Sequence, residues 1–137
     1  MNQQMAAALA AEEAAIYAYG IIGVELSSPA EVTQARAAEQ AHRERRDYLV
    51  GKMDRPQSSP AGYQMPFPVT DRTAALKLAI QVEDGVAQAW RPVLAVTTEA
   101  DRMTALAAMT DAAVRATRWR RTAAVSPLTT AFPGRAE

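Results

Sequence analysis

His42 is the only histidine in the chain. It closes the short run Glu39-Gln40-Ala41-His42. On a helix, residues three apart share a side, so this carboxylate and imidazole would reach one cation together. Two further acids, Glu12 and Glu83, interrupt apolar stripes on other segments. Charged groups in an apolar interior must be paired, hydrogen-bonded or metal-bound. Each of these four residues lies near the middle of its segment, so they would meet at one level. A carboxylate-rich set with one imidazole suits a single iron or manganese ion, with zinc as a third option, and Asp111 is a fifth candidate ligand. The opposing reading of the same residues is a buried polar network, neutralised by Arg46, Arg115 or Arg118.

Positioning such a set requires long helices, and the hydrophobic periodicity predicts four. The first covers about residues 2–26, with Met5, Leu9, Glu12, Ile16, Tyr19, Gly23 and Leu26 at alternating steps of four and three. Ser28-Pro29-Ala30-Glu31 reads as a capping box that starts a second helix over about 29–53. Its inner stripe is Val32, Ala35, Glu39, His42, Arg46, Leu49 and Met53. A third helix over about 72–96 follows a cap at Thr70 or Asp71, with Leu76, Ala79, Glu83, Val86, Trp90 and Val93 inward. Pro92 should kink that helix or end it early. Thr98 caps a fourth helix over about 99–123, expected to bury Leu106, Met109 or Thr110, Ala113 and Trp119. Residues 124–137 read as a tail anchored through Phe132.

Between the second and third helices, residues 54–71 carry Pro56, Pro60, Pro66, Pro68 and Gly62. This is long for a link between neighbouring helices. Fully extended it would reach roughly 60 Å, whereas a helix of this length spans about 37 Å. The segment can therefore run the length of a bundle, with Tyr63, Met65, Phe67 and Val69 packing it down. The expected fold is one all-α domain over residues 1–137, a four-helix bundle with a long crossover between helices 2 and 3.

Composition narrows the function. Hydrophobic residues are 49% and charged residues 22%, a globular balance, and alanine, the best helix former, is the commonest residue. The formal net charge of zero supplies no field for nucleic acid, and the arginines near 43–46 and 115–121 read as solvated faces. There is no cysteine, which excludes disulfides, thiolate metal sites and a cysteine nucleophile. Glu12 and Glu13 interrupt the alanine-rich start, predicting neither a membrane span nor a signal peptide. The expected location is cytoplasmic.

Several short runs carry a family resemblance when taken in order. They are Ala10-Ala11-Glu12 leading into Ala14-Ala15-Ile16-Tyr17-Ala18-Tyr19-Gly20, then His42-Arg43-Glu44-Arg45-Arg46-Asp47, and Met65-Pro66-Phe67-Pro68-Val69. Val82-Glu83, Ala112-Ala113-Val114-Arg115 with Trp119-Arg120, and Phe132-Pro133-Gly134 complete the series. Over nearly its whole length the chain resembles the ferritin-like superfamily, specifically an actinobacterial family of ferritin-like domains with no assigned activity. The resemblance implies a di-metal centre built from a glutamate on helices 1 and 3 and an E-x-x-H pair on helices 2 and 4. Glu12, Glu83 and Glu39 with His42 match three of those elements. Helix 4 instead reads Asp111-Ala112-Ala113-Val114, without the second histidine.

Two readings follow. In one, the chain is a non-catalytic structural or protein-interaction module with a degenerate di-metal site, acting as a homodimer or on another protein. In the other, it is a metalloprotein holding one iron or manganese ion between Glu12, Glu39, His42, Glu83 and Asp111, with redox activity.

Overall fold

The computed structural model describes residues 1–55 and 60–136. Four α-helices form in chain order: α1 (Gln3–Val24), α2 (Pro29–Val50), α3 (Arg72–Trp90) and α4 (Glu99–Ala123). A 3-10 helix (Arg91–Val96) follows α3 directly, and the described residues contain no strand. Pro56 and Glu137 lie outside the described residues.

Local chemistry sets the boundaries. Asn2 Oδ1 accepts the Met5 N–H at 2.8 Å and starts α1. Asp71 Oδ1 does the same for Ala74 at 2.8 Å, so Asp71 rather than Thr70 caps α3. The expected capping box at Ser28 does not form, because the Ser28 side chain makes no cap bond. Glu31 is instead held by Arg72, whose Nε and Nη2 donate to its two oxygens at 2.8 and 3.1 Å. Pro92 acts where expected: the α-helix ends at Trp90 and the chain tightens to 3-10 geometry.

Two apolar clusters fill the bundle. One gathers Met5 and Leu9 of α1, Leu49 of α2, Val86 and Trp90 of α3, Val93, and Ala105 and Ala108 of α4. The other gathers Ile22 and Leu26, Ala35 and Ala38, Leu76 and Ala79, and Trp119. The start of α1 therefore shares one end with the close of α2 and α3, while α2 and α3 both begin at the other end. The Glu31–Arg72 pair marks that second end. Met65, Phe67 and Val69 pack against the second cluster, and Tyr63 stacks obliquely on Tyr17 with ring centroids 5.3 Å apart.

α4 departs from the expected register. Its buried residues are Ala105, Ala108, Ala112, Ala116 and Trp119. Leu106 is half exposed, Thr110 is exposed, and Met109 and Ala113 are only partly covered. Small residues inward make physical sense here, because the Trp90 indole of α3 already fills the space beside Ala105, Ala108 and Ala112, and α4's own Trp119 fills the other cluster. Polar pairs join α4 to α2 and the turn after it, where Arg45 meets Asp111 at 2.9 Å and both Tyr48 of α2 and Lys52 just beyond it reach Asp101. On α1, Ile16 and Gly23 sit partly covered, while Ala15 and Ile22 take the inner positions.

α1 is the one helix among the described residues long and apolar enough to cross a membrane, at a mean hydropathy of 1.3. In this structure it packs against α2 and α3 and holds a buried glutamate. The tail is fastened differently from expectation. The Phe132 ring is 59% exposed, so it anchors nothing. Arg91 Nη1 instead donates to the Pro133 carbonyl at 2.9 Å, and Gly134, at φ +78°, lies against the α3 backbone. A Cβ at Gly134 would meet the Ala87 carbonyl oxygen at 2.7 Å.

Candidate functional site: a buried imidazole between two carboxylates

Between the two apolar clusters lies one polar layer. Glu12 on α1, His42 on α2 and Glu83 on α3 are each fully shielded from solvent. Each helix places its residue by the same step that places its core. Glu12 follows Leu9 by three, His42 follows Ala38 by four, and Glu83 follows Ala79 by four.

The imidazole bridges the carboxylates. His42 Nδ1 lies 2.5 Å from Glu12 Oε2, and Nε2 lies 2.6 Å from Glu83 Oε1. A neutral imidazole has only one N–H, so one of these contacts would set a nitrogen lone pair against a carboxylate lone pair. With both carboxylates ionised, both contacts are satisfied together only by the imidazolium. Burial opposes its charge, yet the hydrogen bonds and negative charges of Glu12 and Glu83 outweigh that cost and raise the His42 pKa from 6.5 to about 9.

Further donors close the layer. Trp90 Nε1 donates to Glu12 Oε1 at 2.7 Å, and the Tyr19 hydroxyl donates to Glu83 Oε1 at 2.9 Å. Trp119 Nε1 donates in turn to the Tyr19 oxygen at 2.9 Å. Arg115 Nε on α4 sits 3.0 and 3.1 Å from the two Glu83 oxygens. Burial disfavours the Glu83 charge, but His42, Arg115 and Tyr19 together hold its pKa below the usual value. Burial and the neighbouring Glu83 raise Tyr19 well above an ordinary phenol, so it remains a donor. Two carboxylates thus face one imidazolium and one guanidinium, with no buried side-chain polar atom lacking a partner among the described residues.

Of the five proposed ligands, the structure brings together Glu12, His42 and Glu83 and leaves two outside. Glu39 is partly exposed and faces Arg43 at 3.6 Å. Asp111 is half exposed and bound to Arg45. In helical rotation Glu39 follows Ala38 by one step of 100°, and Ala38 with His42 already occupies the inner line. Of the three arginines considered as neutralisers, Arg115 reaches the layer, while Arg46 pairs with Asp47. The donor roles of Tyr19, Trp90 and Trp119 escape a reading that treats them as core aromatics. Tyr19 and Trp90 lie on the inner stripes that carry Glu12 and Glu83, but each donates to the carboxylate of the other helix, which spacing along one helix does not show. A buried indole N–H also requires an acceptor.

The donor set does not fit a di-metal centre. Both His42 nitrogens lie against carboxylates, and with the pKa raised to about 9 the ring at neutral pH is an imidazolium with no lone pair to offer. A guanidinium stands where helix 4 would supply a second E-x-x-H pair, and Glu39 points elsewhere. Among the described residues, no group of three His, Asp or Glu side chains is arranged to hold an ion.

Comparison with known proteins agrees with the extent of this fold. A family model described as a domain of unknown function, DUF4439, matches residues 4–137. The chain belongs to the DUF4439 family. A crystal structure of a conserved hypothetical protein, rv2844, from Mycobacterium tuberculosis is similar to this DUF4439 chain. The two are 38% identical with a TM-score of 0.82, over 88% of this chain and 95% of that one. No curated protein matches it.

Proposed function

We propose that this DUF4439 chain is a ferritin-like bundle whose interior cations are an imidazolium and a guanidinium, and that it acts as a non-catalytic module through protein contacts. The observation carrying this reading is the engagement of both His42 nitrogens by carboxylates. A ligand to iron needs a free lone pair, and an imidazolium held between two carboxylates has none to give. The placement of the starts of α2 and α3 at one end supports a long ferritin-like crossover through residues 54–71. Protein contact is supported by Met103, Leu106 and Val114, exposed along the outer side of α4, where a second copy or another protein would dock.

The metal reading and this one separate by elemental analysis. Protein incubated with Fe(II), Mn(II) or Zn(II) and then desalted should retain far less than one ion per chain, with an unchanged unfolding midpoint. Stoichiometric retention that disappears in Glu83→Gln would establish the single-ion metalloprotein instead.

A further inference from the structure

On the outer side of α3, two cavities adjoin. The first, of about 290 Å³, lies between α1, α3 and residues 63–66. Its floor is Ala11, Ala14, Ala15, Ala18 and Val82, and no charged residue lines it. The second is an open trough of about 1140 Å³ between α3 and the tail. Gln81 and Gly85 line both, so the cavities meet there.

Gly85 is the unexpected residue at this junction. It lies inside α3, where glycine is unfavourable relative to alanine. Close packing does not require it, because a Cβ there would have nothing within 4 Å. The missing side chain leaves room rather than relieving a clash. The trough also has a charge bias. Among the described residues, Lys77, Arg120 and Arg135 face one acid, Asp84, which Arg120 already binds. Lys77, one turn before Gln81, lies 4.6 Å over the Phe67 ring and has no carboxylate partner among the described residues.

An uncharged apolar pocket opening onto a cationic trough matches one ligand chemistry. We propose that the outer face of α3 binds a small amphipathic anion, with its apolar chain beneath Tyr63–Pro66 and its carboxylate or phosphate head at Lys77. The few polar groups at the junction would orient it, as in other small-molecule pockets of this size.

Calorimetric titration of the full chain at low salt tests this, with decanoate and decyl phosphate as anions and decanol and acetate as controls. Saturable binding of at least one long-chain anion is expected, with the two arms separating carboxylate from phosphate. Gly85→Leu should weaken it about tenfold or more by filling the junction, and this variant gains helix propensity. Lys77→Gln should weaken it and flatten its salt dependence. No saturable binding to the wild-type chain, or affinity unchanged in Gly85→Leu, would overturn the site. Decanol binding as tightly as the anions would overturn the assignment of the head group.

Discussion

At the scale of single residues, His42 decides what the bundle interior can do. Its cation stands between Glu12 and Glu83, so removing it leaves two buried carboxylates without the charge that joins them. His42→Gln should therefore lower stability by about 3–5 kcal/mol, the usual result of breaking a buried ion pair from one side, read by urea unfolding. The pH dependence has a definite sign. The folded pKa of about 9 exceeds the ordinary 6.5, so the histidine's contribution is complete below 6.5 and is lost as pH rises through 9. It amounts to about 3 kcal/mol. Glu83 is shifted downward, so its contribution is present above 4.5 and is lost as pH falls through its depressed value. Unfolding free energy should decline from pH 6.5 to 9 in the wild-type chain, and the decline should vanish in His42→Gln. Glu12, His42 and Glu83 were legible in the sequence because charge in an apolar stripe requires a partner. Glu39 was misread because E-x-x-H spacing fixes a shared side without saying which of two adjacent lines faces inward.

Among the elements, the α3 stripe is buried as its periodicity implied, α1 and α2 keep only part of theirs, and α4 is turned by one position. Alanine is compatible with either face of a helix, so the large residues Leu106 and Met109 drew the expected stripe one position too far. The structure turns the alanines in, with Ala105, Ala108 and Ala112 beside Trp90 of α3, while Trp119 is buried as its place in the sequence implied. The register is open to a direct comparison. Ala112→Leu should cost at least about 1–3 kcal/mol by overpacking, whereas Leu106→Ala should stay within about 0.5 kcal/mol. Thermal or urea unfolding of the two variants checks this, and the opposite ranking would restore the register read from the stripe. The tail is a second case. Phe132-Pro133-Gly134 marks a docking point, but the contact is made by backbone carbonyls and a glycine rather than by the aromatic ring.

At the scale of the molecule, helix number and order were readable from caps, prolines and periodicity, while the path of the chain depends on which ends meet. The start of α2 and the start of α3 are joined by Glu31 and Arg72. Since the chain has no cysteine, Glu31→Cys with Arg72→Cys introduces a single clean pair. A short bifunctional maleimide should cross-link it within the monomer, and failure to do so would place the two starts at opposite ends. What unites the scales is the balanced polar layer between two apolar clusters, and its state rests on one proton. The sole histidine gives a single imidazole in a ¹⁵N spectrum, so no assignment ambiguity arises. At neutral pH, above the ordinary value of 6.5, both ring nitrogens should carry protons and titrate together near pH 9. A neutral ring titrating at or below 6.5, or one nitrogen shifting when iron or manganese is added, would contradict the imidazolium layer.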